Sequence, residues 1–294
     1  MSDLFLGPRG FSFRAQPSSI STNLLSFSMP LRWLFLAVVL INALLATPPA
    51  KSAPKFDPVD TALVIAVDVS NSVDERRYRL QMNGIANALS DPAVVGTILN
   101  GAQGAILVSV VTWSDRPRMA LPWMRIASQE EAFAVARRVR ALPHTTGEFT
   151  CVANMLRYLN DKVLPTVPAM ALRKVVDVSG DGQDNCNSRV ATPDIRDELV
   201  RYGTIVNGLP ILEGKEALTL EQWYDDNVRG GPGSFVLAAK SFEDFGRAIR
   251  QKFIVEISGI NPGTRYARAD ETSDTKIRSI ELAPNPVSRD QAKF

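Results

Sequence analysis

The chain has 294 residues, 45% of them apolar and 22% charged, with 33 Lys and Arg against 31 Asp and Glu for a formal charge of +2. That is a globular composition with ample material for a sizeable core, and it excludes a fibre or a bulk-disordered chain. Arg9, Arg14, Arg32 and Lys51 against Asp3 give the first 53 residues a net charge of +3, so the remainder carries −1 and has no basic footprint for nucleic acid.

Residues 1–53 read as an N-terminal extension and signal peptide rather than as fold. Met29-Pro30-Leu31-Arg32 leads into the apolar run WLFLAVVLINALLA, residues 33–46. A positively flanked run of this length suits a signal-peptide core and falls short of the roughly 20 residues a spanning helix needs. Small residues at Ala46, Ala50 and Ala53 bracket the expected cleavage site, and Met29 is a candidate true start, because the polar, Ser-rich stretch before it is not needed for export. The expectation is a periplasmic or secreted protein, with membrane attachment only if the apolar segment stays uncleaved.

From residue 54 to 258 strand-like and helix-like segments alternate. ALVIAV (62–67) is a continuous apolar strand, and residues 75–89 carry Tyr78, Met82, Ile85 and Leu89 at helical spacing. Residues 105–113 are predicted as strand, and 118–125 as a neighbouring strand that Pro122 confines to an edge. The helix at 129–141 is opened by Ser128 with Glu131 three positions on, a capping box. A helix over 151–163, a strand over 172–179 and a helix over 194–202 with Thr192 and Pro193 as N-cap and N1 follow. Then come the strand TIVNGLPIL (204–212), a helix over 219–228, the strand SFVLAA (234–239) and an amphipathic helix from Ser241 to about Ile257. This alternation predicts a doubly wound α/β fold, a mostly parallel central sheet with helices on both faces. Residues 259–294, polar with prolines at 262, 284 and 286, are expected to be a poorly ordered tail.

Sheets of this kind bind ligands beyond the carboxyl ends of their strands. Three loops there carry the same chemistry: Asp68, Ser70 and Ser72 after the first strand, Thr150 in GEFT before the 151–163 helix, and Asp181 in SGDGQDN after the 172–179 strand. Two carboxylates and three hydroxyls are hard oxygen donors of the kind that hold Mg2+ or Mn2+. In an extended segment residues 70 and 72 point the same way and can share one ion.

DVSNS resembles the Asp-x-Ser-x-Ser signature of von Willebrand factor type A (vWA) domains, the metal-ion-dependent adhesion site (MIDAS). TCVANML is similar to that site's second-loop pattern and SGDG to its third, and the strand and helix order from about Val59 to Ser258 follows the family. GDGQDN, TIVNGLPIL, GGPGSFV and FGRAIRQKFIVEI resemble a bacterial exported vWA-like family of unknown function. The resemblance implies that Ser70, Ser72 and Thr150 touch the ion through hydroxyl oxygens, that Asp68 and Asp181 act directly or through water, and that a Glu or Asp of a partner protein takes the free position. It implies an exported protein-binding module for adhesion or assembly, dependent on Mg2+ (or Mn2+ or Ca2+), and not an enzyme. The second loop departs from the pattern: Glu148 and Phe149 stand where relatives have small residues, so they are expected to narrow the access to the ion, and Glu148 is within sequence reach of it.

Other readings compete. Ser72 with Glu75 three residues on also fits a capping box for the next helix. An aspartyl phosphatase wants a second Asp two residues after the first, where this chain has Ser70, and a serine hydrolase wants a G-x-S-x-G elbow that the chain lacks. A metal-dependent hydrolase and a metal-independent assembly module remain as alternatives. Cys151 and Cys186, each beside a candidate metal loop, suggest one disulfide in an oxidising compartment, with two buried thiols as the other possibility. His144, the single histidine, lies near the second loop, either in a pH-sensitive role or merely solvated. Trp113, Trp123, Trp223, Phe133, Phe235 and Phe245 are expected in the core, and Arg137, Arg138 and Arg140 on a solvated helix face.

Overall fold

The structure, a computed structural model, describes residues 56–186 and 189–259. The expected signal peptide and nearly all of the expected tail lie outside the described residues. Among the described residues no helix is long and apolar enough to cross a membrane.

The chain order is β1 (Val59–Asp68), α1 (Glu75–Leu89), α2 (Pro92–Leu99), β2 (Ile106–Trp113), β3 (Arg118–Ile126), α3 (Gln129–Arg140), α4 (Val152–Tyr158), β4 (Ala171–Gly180), α5 (Thr192–Arg201), β5 (Thr204–Pro210), α6 (Ala217–Asn227) and α7 (Phe245–Ser258). The five strands form one sheet in the order β3-β2-β1-β4-β5, all parallel except the antiparallel edge strand β3. Pro122 sits in β3, where its missing N–H costs no ladder bond.

All ten residues of β1 are buried, because both faces of the sheet are covered. Leu63, Ile65 and Val67 pack with Met82, Ile85, Val135 and Phe253 under α1, α3 and α7. Val64 and Ala66 pack with Met155, Leu199 and Tyr224 under α4, α5 and α6. From β1 the chain moves outward to β2 and β3, then returns to β4 on the other side. The winding therefore reverses between β1 and β4, where a doubly wound sheet leaves its crevice.

Several expectations are corrected. Residues 92–99, unassigned in the sequence reading, form α2, opened by Asp91, whose side chain accepts from the N–H groups of Ala93 and Val94. The helix expected over 151–163 is α-helical only to Tyr158 and then widens to a π turn over Leu159–Val163. Thr192 is not the N-cap of α5: Ala191 is, with no side-chain bond, and Thr192 is the first helical residue. Residues 234–239 run beside β5 but make only the isolated bridges Gly208–Val236 and Ile211–Ala239. The rung between those bridges would need an N–H from Pro210, which proline lacks. Phe133 is exposed, whereas Trp113 and Phe245 are fully buried and Trp123, Trp223 and Phe235 partly so. His144 is not a solvated loop residue: its side chain is 10% exposed, stacks on Tyr78 at 4.5 Å between ring centroids and meets Glu75 Oε2 at 2.9 Å through Nδ1.

Candidate metal centre

β1 ends on Asp68, which is fully buried at the reversal point. Its Oδ1 accepts from the Ser70 N–H at 2.7 Å, an Asx-type turn that folds the chain back over the strand end. The turn is braced by Val69 N–H to the Trp113 carbonyl and by Gln81 Nε2 to the Asp68 carbonyl. Asp74, not Ser72, caps α1 by accepting from the Arg77 N–H. The capping-box alternative for Ser72 is thereby excluded, and its hydroxyl is free for other work.

That hydroxyl donates to Asp181 Oδ1 at 2.6 Å and lies 3.2 Å from Ser70 Oγ. Asp181 follows β4, the strand beside β1, so parallel pairing brings the two strand ends together. Four of the five expected site residues, Asp68, Ser70, Ser72 and Asp181, are thus joined across 113 residues of sequence by one turn and two hydroxyl contacts. Thr150, the fifth, is buried beside them: a Cβ on Gly182 would stand 3.4 Å from its Oγ1.

The second loop is held by residues that sequence reasoning did not single out. Thr150 N–H donates to Asn185 Oδ1 at 2.9 Å while Asn185 N–H donates to the Thr150 carbonyl at 3.0 Å. α4 has no side-chain cap of its own at Cys151; Asp184 supplies one from the third loop, accepting from the Ala153 N–H at 2.7 Å. Cys151 and Cys186 are bonded to each other, with Cα atoms 5.1 Å apart. The DGQDNC stretch therefore offers Asp181 to the site and clamps Thr150 with its next residues. On the other side Gly147 N–H donates to the Val69 carbonyl, and Glu148 N–H to Asp115 Oδ1. Glu148 and Phe149 are both exposed on the rim. The Glu148 contact is through its main chain.

The electrostatics favour a cation. Burial, reinforced by the charge of Asp181, pushes the Asp68 carboxyl up to about 7, against opposing hydrogen bonds from Ser70. Burial also raises Asp181, with the Ser72 hydrogen bond and Arg77 opposing. Asp68 Oδ2 is buried and accepts no hydrogen bond. Arg77 donates instead to the Ser72 carbonyl and to Glu213 Oε1. Two facing carboxylates, an unsatisfied carboxylate oxygen and a ring of hydroxyls fit a hard divalent cation. Among the described residues no three His, Cys, Asp or Glu side chains form a metal-binding group, so any ion here depends on the hydroxyls.

Comparison with known proteins agrees on the fold. Proximal thread matrix protein 1 from the mussel byssus, solved with a zinc-occupied MIDAS motif, superposes with a TM-score of 0.52 at 18% identity, covering 68% of this chain and 48% of that one. A von Willebrand factor type A protein from Catenulispora acidiphila superposes with a TM-score of 0.50 at 17% identity, covering 68% and 43%. The chain thus spans less than half the length of these structures, and such identities show the fold alone. No protein of curated function matches the chain. The family model described as "Protein of unknown function (DUF1194)" matches residues 58–261. This vWA-like α/β chain therefore belongs to the DUF1194 family of proteins of unknown function.

Proposed function

We propose that the protein is an exported binding module that holds a divalent cation, Mg2+ or a close substitute, with Asp68, Ser70, Ser72, Thr150 and Asp181, and through it binds an acidic residue of a partner protein. The observation that carries this reading is the pair Asp68–Asp181, two carboxylates without a cationic partner, laced together by Ser72 at the reversal point of the sheet. A bound divalent cation would supply the missing positive charge and an open coordination position for a carboxylate. The chain's own residues orient that position: the Asx turn aims Ser70 and Ser72, and the DGQDNC clamp sets Thr150. The mussel protein's zinc-occupied MIDAS motif, on a similar fold, supports an ion of this class. Export is supported by the apolar run at 33–46 and by the disulfide, a bond that persists in oxidising compartments.

The test is a pull-down from the exported fraction in Mg2+, in EDTA and with Asp68→Ala. The reading expects proteins captured by the wild type in Mg2+ and lost in the other two arms; identical captures in all three refute it. Turnover of generic phosphate esters that Asp68→Ala abolishes would establish the hydrolase alternative instead. N-terminal sequencing of the exported chain tests the cleavage expected between residues 46 and 53.

A further inference from the structure

Tyr224 lies on α6, in a stretch whose pattern marks it as ordinary core, and its ring is fully buried among Val64, Ala66 and Val178. Its hydroxyl, however, has no hydrogen-bond partner. Buried polar atoms are satisfied in the great majority of cases, so an unsatisfied one points to a role that phenylalanine could not fill. Local geometry sets it near Asp68 without bonding the two: a Cβ placed on Gly180 would stand 2.7 Å from Tyr224 Oη and 2.8 Å from Asp68 Oδ2, and neither atom has a hydrogen-bond partner. The two unsatisfied atoms thus flank one point, the Cβ position that Gly180 leaves empty, one a donor and the other an acceptor.

The sheet is shaped to allow this approach. A Cβ on Gly208 in β5 would come within 2.9 Å of Tyr224 Cδ1. Gly208 pairs with Val178, two residues before Gly180, so glycines on adjacent strands clear a shallow trough for the ring. Any side chain at either glycine would lift the phenol or wedge it away from Asp68. Trp223, the preceding residue, packs edge-on against the ring at 5.6 Å between centroids and holds it from the side.

Resting on the metal-binding reading above, we infer that Tyr224 is a positioning residue of the ion site, its hydroxyl turning to donate to Asp68 Oδ2 when a cation is bound. Asp68 Oδ1 is already fixed by the Ser70 N–H, so a second donor on Oδ2 sets the rotation of the whole carboxylate. It favours the ionised form that a cation needs, without placing a competing positive charge in the site. Tyr224 belongs to neither the Asp-x-Ser-x-Ser turn nor the other two loops, and it ties α6 to the ion.

The experiment compares the full-length wild type with Tyr224→Phe, titrating MgCl2 and following thermal unfolding and the tyrosine absorbance difference spectrum. The phenylalanine keeps the ring and removes only the hydroxyl. Tyr224→Phe should unfold in EDTA at the wild-type temperature or above, yet bind Mg2+ about tenfold more weakly, as expected for one hydrogen bond to a charged group. The wild type should show a Mg2+-induced tyrosine difference that Tyr224→Phe lacks. Equal Mg2+ affinity in the two proteins overturns the inference and leaves the proposed function standing. A wild type that binds no Mg2+ overturns both.

Discussion

Replacing Asp68 by Asn should make the metal-free protein more stable at alkaline pH, against the usual sense of altering a site residue. Burial pushes the Asp68 carboxyl up to about 7 in the folded chain, from its ordinary value of 3.8. Native protein therefore binds more protons than unfolded chain between those limits, and its stability falls as pH rises through that window. That displacement corresponds to a loss of roughly 4 kcal/mol, absent below pH 4 and complete above about pH 7. Asp68→Asn keeps an acceptor for the Ser70 N–H and removes the charge. Urea unfolding in EDTA should show wild type and Asp68→Asn alike near pH 4 and the variant ahead by up to about 4 kcal/mol at pH 8. Asp177, Asp181 and Glu256 are also raised by burial, and taking the difference between the two proteins largely removes what they share. Added Mg2+ should restore the wild type at pH 8, by about 2.7 kcal/mol at a hundred times its Kd, and leave Asp68→Asn unmoved. A wild type as stable as Asp68→Asn at pH 8 in EDTA would refute the reasoning, because the buried carboxylate would then cost nothing.

Further outcomes follow from the loops. Opening the Cys151–Cys186 bond with the double Ser variant frees a loop of 35 residues and should lower stability by about 4 kcal/mol on the chain-entropy account, with weaker Mg2+ binding as Thr150 loosens; denaturant unfolding and an Mg2+ titration check both. Asp184→Ala removes the borrowed cap of α4 and should lower stability by about 1 kcal/mol in the same assay, whether or not Mg2+ is present. Gly147→Ala would place a Cβ 1.9 Å from Ser114 Oγ and 2.2 Å from Asp115 Oδ1, so a loss of about 1–3 kcal/mol and a displaced second loop are expected by urea melts and hydrogen exchange.

What could be read from the sequence had local causes. α1 is bounded by its apolar period, and β1 by an unbroken run that ends at a carboxylate. Asp68, Ser70 and Ser72 stand out because a two-residue spacing after a buried strand has few purposes. Asp184 and Asn185 gave no such signal, since their task exists only once the third loop lies against the second. Tyr224 was hidden for the opposite reason: at an apolar helix position a buried tyrosine looks like any other core aromatic until its hydroxyl is seen unsatisfied. The irregularity of 234–239 had its cause on another strand, in the missing N–H of Pro210. α2 was readable from Asp91-Pro92, although eight residues is short for periodicity to declare itself.

A second buried pair of carboxylates in the same molecule shows what the candidate site lacks. Asp177 and Glu256 are both buried, as Asp68 is, and both are raised by burial. There the protein supplies its own cation: Lys252 Nζ lies 3.4 Å from Asp177 Oδ1 and 3.2 Å from Glu256 Oε1, over the Phe235 ring, with Asn207 donating to Glu256. Removing that cation should be severe: Lys252→Met is expected to lose about 3 kcal/mol or more at neutral pH by urea unfolding, and to recover as acid protonates the two carboxyls. Four residues along from Asp177, Asp181 meets Asp68 with hydroxyls around it, while the neighbouring Arg77 is engaged with Glu213 and the Ser72 carbonyl. A lysine there would satisfy the charges permanently and close the site. On the proposed function, an exchangeable ion in place of a lysine would keep one face open, and only an open face could take a partner's carboxylate.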